Sequence, residues 1–224
     1  AGKPTMDWWA DTDAGLVRPY GGSEASAGIA AWGTATGQRI AGTGALLLLR
    51  PSDDPGLVQR VTAHAPADQR FTLASVGDLK ADDIVLACDG VRSALFQATA
   101  VNMQANTLDH AATGLNCTSR LGAVGPGCLN PVDAQYDETL GTVIARWDPA
   151  FWYIGANDQG SRSLYRAGLN AGGGSGPVPG RQEMVRGVHD LQVEVLARDD
   201  IAGGTLSPAW AAPSAFNAQW NLDS

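Results

Sequence analysis

Apolar residues along this chain fall in short runs separated by turn-forming residues, at strand length rather than helical spacing. Ala45-Leu46-Leu47-Leu48-Leu49 stops at Arg50-Pro51 and predicts a strand over 45–50. After the turn Ser52-Asp53-Asp54-Pro55-Gly56, the stretch Leu57 to Thr62 predicts another. Asp83 to Cys88 and Val91 to Val101 predict a strand pair joined at Asp89-Gly90, where glycine tolerates positive φ. Thr142 to Trp147 and Phe151 to Gly155 read as a second hairpin across Asp148-Pro149, and Ser163 to Ala167 as a short strand. Leu191-Gln192-Val193-Glu194-Val195 alternates with period two, the mark of a half-buried strand, and Gln182 to Val188 reads as a helical turn or an extended lead-in.

The remaining stretches lack periodicity. Residues 1–44 are dominated by Gly, Ala, Ser and Thr around Trp8, Trp9 and Tyr20, which predicts an irregular lead-in pinned by aromatic burial. Residues 102–140 read as loop-rich, and Ala171 to Gly180 as a mobile surface loop without packing capacity. The fold class predicted is α+β, mainly antiparallel β, with a lead-in over 1–44 and a β-rich domain over 45–224.

Composition strengthens this reading. Only 17% of the 224 residues are charged and 28 are Gly, so long solvated helices, which need charged outer faces, are excluded as the main element. Hydrophobic residues at 44% suffice for a packed core. The net charge is −8, and of the 15 cationic residues only Lys3 and Lys80 are lysines. An acidic, lysine-poor surface argues against nucleic acid and against anionic lipid, both of which need a concentrated cationic footprint. No stretch reaches the ~18 apolar residues of a membrane span. The chain opens on Ala1 rather than Met, as a processed or trimmed piece would.

Motifs for catalysis or cofactors are missing. There is no GxSxG elbow, no phosphate-cradling GxxxxGK[ST] and no dinucleotide fingerprint, so neither an enzyme nor a cofactor is expected. His64, His110 and His189 are far apart in sequence, lack metal-ligand spacing, and read as packing or surface residues. The acidic pairs Asp53/Asp54 and Asp82/Asp83 read as turn residues, and Asp11-Thr12-Asp13 fails as a calcium loop. Among seven tryptophans, most are expected to be buried and one or two to serve an interface.

Cys117 and Cys128 flank a loop containing Gly122, Gly125, Pro126 and Gly127, which a disulfide would restrain. The sequence leaves the pairing open, with Cys88 a partner for either, and an odd count leaves one cysteine over.

Several segments in order resemble the PilW family of type IV pilus minor pilins, relatives of the J-type pseudopilins of type II secretion. Met6-Asp7-Trp8-Trp9-Ala10-Asp11 through Tyr20-Gly21-Gly22 is similar to the family's stretch after the pilin helix. Ala41-Gly42-Thr43-Gly44-Ala45-Leu46 resembles the approach to its first head strand, and Asp83 to Thr99 its Cys-bearing hairpin, with Asp-Cys inverted to Cys88-Asp89. Ser163-Leu164-Tyr165-Arg166 and Glu183 to Val193 resemble its "S-L-Y-R … E-L-V-E-G-V-E-D-L-Q-V" block. The resemblance implies a pilin-like head whose apolar N-terminal helix is absent here. That helix would anchor the full-length form in the inner membrane, with the head in the periplasm before assembly and at the extracellular pilus tip afterwards. The implied partners are other minor pilins, the major pilin and a pilus-tip adhesin. Trp8, Trp9, Gly172, Gly173, Gly174 and Pro177 are candidate interface residues, with the loops at 113–131 and 170–180 as contact points. The alternative from a different class is an extracellular carbohydrate- or protein-binding β-sandwich module.

Overall fold

A computed structural model of the chain describes residues 7–12, 15–26, 28–123, 128–170, 178–196, 205 and 209–213. The strands among the described residues are β1 (Val17–Tyr20), β2 (Ala45–Leu48), β3 (Val58–Ala65), β4 (Arg70–Leu73), β5 (Ile84–Cys88), β6 (Ser93–Gln97), β7 (Ala100–Asn102), β8 (Thr107–Asp109), β9 (Val143–Arg146), β10 (Ala150–Ala156), β11 (Arg162–Asn170) and β12 (Val178–Arg186). They form two sheets, ordered β1-β2-β10-β11-β12 and β6-β5-β9-β3-β4-β8-β7. The ladders β1–β2, β2–β10, β10–β11, β3–β4, β3–β9, β4–β8, β5–β6, β5–β9 and β7–β8 are all antiparallel, so the predicted mainly antiparallel β class holds. Chain contacts divide the molecule into two compact units, one centred on 50–148 and one on 7–49, 149–168 and 179–224. Among the described residues no helix is long and apolar enough to cross a membrane.

In the five-stranded sheet, β10 is central, and its Ala-Phe-Trp-Tyr-Ile-Gly-Ala run is buried on both faces except at Trp152. Aromatic rings pack in sequence over its surface: Tyr20 edge-on to Phe151 at 5.4 Å, Phe151 on Tyr153 at 5.5 Å, Tyr153 on Tyr165 at 5.6 Å. Tyr153 and Tyr165 are direct cross-strand partners, a pairing that stabilises a sheet beyond its backbone ladder. Gly155 makes room for the Tyr165 ring, because a Cβ there would stand 2.6 Å from Tyr165 Cδ2. Both outer strands carry a proline, Pro19 in β1 and Pro179 in β12, and a residue without an N–H blunts a sheet edge against further pairing.

The segment between β1 and β2 is organised by one buried cation. Arg39 is fully buried, and its guanidinium donates to the carbonyls of Glu24 (2.9 Å), Gly21 (3.0 Å) and Thr43 (2.7 Å). It lies 4.2 Å from the centroid of Trp32. Burial lowers its pKa to about 10, with Tyr20 and Glu24 acting the other way, so it stays charged at neutral pH. Its backbone bridges both Trp32 and Gly155, tying the segment to β10.

The seven-stranded sheet packs Val61, Phe71, Leu73, Val85, Phe96, Leu108 and Ile144 into a core with Leu57, Val76, Leu121 and Tyr136 from its connections. A bulge interrupts β3 between Val61 and Ala63. The edge at β6 is closed by a side chain: Asn116 accepts from the Gln97 N–H (2.7 Å) and donates to its carbonyl (2.8 Å), as a neighbouring strand would.

Several expectations need correction. The strands on either side of Asp148-Pro149 do not form a hairpin: β9 pairs with β5 and β3, while β10 pairs with β2 and β11. The short link passes the chain from one sheet to the other. Leu191 to Val195 is not a strand, although its burial alternates as its sequence does; only Val195 bridges, to Ala211. Residues 178–180 belong to β12 rather than to a loop, and Gln182–Arg186 are extended. Val91 to Val101 is not one strand, because the chain breaks at Ala98-Thr99 and β7 turns to β8. The first hairpin forms as predicted, but the turn centres on Gly90-Val91, with the Asp89 carboxylate accepting from the N–H groups of Val91 and Arg92. β1, β4 and β8 lie in stretches read as irregular, unassigned or loop-rich.

Replacing Arg39 by Met should destabilise the chain by ~3 kcal/mol or more, since three carbonyls lose a donor at ~1–3 kcal/mol each when buried. The exposed Arg60→Met change should stay within ~0.5 kcal/mol. Urea unfolding of the two variants checks the contrast; equal midpoints would contradict the organising role of Arg39.

Candidate interaction surface

Beside the seven-stranded sheet, the connection between β8 and β9 runs through residues 110–142 and is held at several points. Cys117 and Cys128 form a disulfide with Cα atoms 5.9 Å apart, and Cys88 is free and half-buried in β5. Gly122 donates to the Val132 carbonyl at 3.1 Å and Val132 donates to Ala123 at 2.9 Å, a small ladder across the loop. Arg120 adds a hydrogen bond to the Pro131 carbonyl (3.1 Å) and an ion pair with Asp133 (3.2 Å). That pair is exposed, so it adds little stability.

The deeper anchor is a hydrogen-bonded row of two imidazoles. His64 lies in β3 and His110 follows β8; both are buried, with Nε2 atoms 3.1 Å apart. The Tyr136 N–H donates to His64 Nδ1 at 3.1 Å, so that nitrogen carries no proton and His64 holds its hydrogen on Nε2. His64 Nε2–H then donates to His110 Nε2, and His110 holds its own hydrogen on Nδ1, which donates to the Ser119 carbonyl at 3.0 Å. The row is satisfied only when both rings are neutral. A proton added to His64 Nδ1 would face the Tyr136 N–H, and one added to His110 Nε2 would face His64 Nε2–H.

Aromatic packing fixes the row. His64 stacks on Phe71 at 4.0 Å, and His110 sits 5.3 Å from Phe71 and 5.7 Å from Phe96. Tyr136 is fully buried and its hydroxyl donates to the Leu121 carbonyl at 3.4 Å. The carbonyls on both sides of Arg120 are therefore tied to the core. Burial, and then the neighbouring His110, lowers the His64 pKa to about 4. Burial also lowers that of His110, against the Ser119 hydrogen bond and Asp109, and pushes Tyr136 up to about 12.

On its outer side this loop presents Leu115, Leu129 and Val132, which are 53%, 65% and 54% exposed. Val91 at the β5–β6 turn is 74% exposed and Met103 at the β7–β8 turn is 68% exposed. Apolar side chains on a loop held in one shape can bind a partner with little loss of conformational entropy. Among the described residues no group of three or more His, Cys, Asp or Glu is placed to hold a metal ion.

Of the residues singled out by sequence, Cys117 and Cys128 meet in this loop. Trp8 is half-buried, and Trp9, a candidate contact residue, is buried at 7% exposure and packs inside the fold. Gly172, Gly173, Gly174 and Pro177, and with them residues 171–177 of the mobile loop predicted over 171–180, lie outside the described residues. Trp147 is buried as expected, and Trp210 is 64% exposed. His64, His110 and Tyr136 carry no sequence signal, being 46 and 72 residues apart in the contacts they make. Compared with protein-family models, curated proteins and solved structures, the chain matches none.

The imidazole row predicts a defined pH dependence. The His64 pKa is lower folded than unfolded, so its neutral form contributes stability fully above the unfolded value near 6.5, lost as pH falls toward about 4. The loss is on the order of 3 kcal/mol for that shift. His64→Gln supplies an acceptor and a donor without titrating, and should flatten the fall between pH 6.5 and 5, above the carboxylate range. Urea unfolding across that interval checks this; an equal slope in wild type and variant would contradict it.

Proposed function

We propose that the chain is the head of a structural minor pilin of the type IV pilus, which joins other minor pilin heads in the complex that primes pilus growth and supports an adhesin at the tip. Three kinds of observation support this reading. The ordered sequence resemblance covers most of the chain and is densest in Ser163–Arg166 and Glu183–Val193. The antiparallel sheets suit an assembly subunit, and the Cys117–Cys128 disulfide suits an oxidising compartment such as the periplasm.

The single observation that carries the reading is the loop over 111–136. Its disulfide and its buried imidazole row hold Leu115, Leu129 and Val132 outward, and these three side chains, unlike Leu121 and Tyr136 of the same loop, add nothing to the core. Holding apolar groups ready for a partner is the expected design of a docking subunit, where the anchor residues decide affinity. In this reading the head stands in the periplasm before assembly and at the pilus tip after it, with the major pilin below.

Co-expression with pilin-like heads encoded beside it tests the proposal. The wild-type head should be retained by at least one of them. The triple change Leu115→Ser, Leu129→Ser, Val132→Ser should weaken retention at least tenfold while leaving the urea midpoint unchanged. Failure of the wild-type head to bind any such partner, or full binding by the triple variant, would overturn it.

A further inference from the structure

In the unit built on the five-stranded sheet, a cavity of about 460 Å³ opens between the segment after β1 and strand β12. Ala25, Gly28, Ile29, Ala30, Trp32 and Arg181 line it, with Ser26 and Ala31. The volume lies in the range of small-ligand sites and is large enough for one sugar ring with its substituents. The small side chains leave the space, and the half-buried Trp32 supplies a flat apolar wall.

Two cations bias what this space accepts. Arg39 is buried and charged, with its guanidinium over the Trp32 ring at 4.2 Å. That buried charge adds a positive potential at the Trp32 end of the cavity. Arg181 is exposed, and among the described residues its guanidinium makes one hydrogen bond, from Nη2 to the Ile29 carbonyl at 3.1 Å. That bond orients the planar fork and leaves donors matched to a carboxylate. The Glu24 carboxylate accepts from the Gly21 N–H at 2.7 Å. Ser26 is also committed, its hydroxyl donating to the Ala30 carbonyl. A local positive site on a chain of net charge −8 selects for an anion that also fits the pocket by shape.

We propose that this cavity binds the pyranose ring of a uronic acid, the ring lying against Trp32 and the carboxylate on Arg181. Binding here is independent of whether the chain joins a pilus. The carboxylate pairs with the guanidinium in partial shelter, and the ring displaces water from the indole. A neutral hexose keeps only the second contribution, and a bare carboxylate only the first.

Titration of the ¹⁵N-labelled chain with glucuronate tests the site, read at the Trp32 indole N–H. The expected result is a saturable shift at millimolar glucuronate, with glucose and acetate each at least tenfold weaker. Arg181→Gln should weaken glucuronate binding at least tenfold, to the level of glucose, while leaving the remaining spectrum in place, since the side chain is exposed. Arg186→Gln removes an exposed arginine of the same strand, paired with Asp158 and Glu183, and should bind as wild type does. No saturable shift, equal binding of glucose or of acetate, or unchanged binding by Arg181→Gln would each overturn the proposal.

Discussion

The buried row of His64 and His110 holds only while each ring carries one proton, because the Tyr136 N–H occupies one end and the Ser119 carbonyl takes the proton at the other, and the loop over 111–136 depends on that condition. His64 and His110 meet at 3.1 Å, with the Tyr136 N–H feeding one end of the row and the Ser119 carbonyl receiving the other. Every polar atom of both rings is thereby used, as buried polar groups require. The row passes from β3 through the residue after β8 into the disulfide-closed loop, so sheet packing and loop shape are coupled through it. The disulfide alone would restrain the loop's ends but not its position on the core.

The other unit uses a different device for the same problem. Its segment between β1 and β2 is built of Gly, Ala, Ser and Thr, which offer little apolar area to bury. A single Arg39 gathers the carbonyls of Gly21, Glu24 and Thr43 and stacks on Trp32. Its charge is dispersed over three carbonyl dipoles and an aromatic face rather than met by a carboxylate. Its Nε makes no hydrogen bond, so the arrangement is not perfect, and the other donors outweigh that cost.

Much of the strand framework was legible because local pattern and final burial agree. The leucine run of β2, the Ile-Val-Leu-Ala-Cys run of β5 and the aromatic run of β10 all occupy interior strands, where uninterrupted apolar sequence is expected. Pairing was less legible. Residues 142–147 and 151–155 are neighbours in sequence yet belong to different sheets, because adjacency is only a tendency and the partners are chosen by the whole core. Leu191 to Val195 shows the converse: its alternation reports which side chains are half-buried, but among the described residues it makes one bridge, Val195 to Ala211, and no ladder. Of the loop over 111–136, the disulfide was among the pairings left open by sequence, whereas the imidazole row was invisible, since nothing local marks His64 and His110 as partners. Arg39 left a fainter trace as the only cation between Arg18 and Arg50.

In the proposed docking role, the loop over 111–136 is held rigid in advance so that its apolar tips can grip a neighbouring head. Amide hydrogen exchange at pH 7, in the free chain and in the presence of pilin-like heads, measures this directly. A loop held in this way should show slow exchange at Gly122, Val132 and Tyr136 in the free chain, and added protection around Leu115 and Leu129 when a partner is bound. Fast exchange throughout the loop in the free chain, or a partner that binds and leaves it unchanged, would contradict the account.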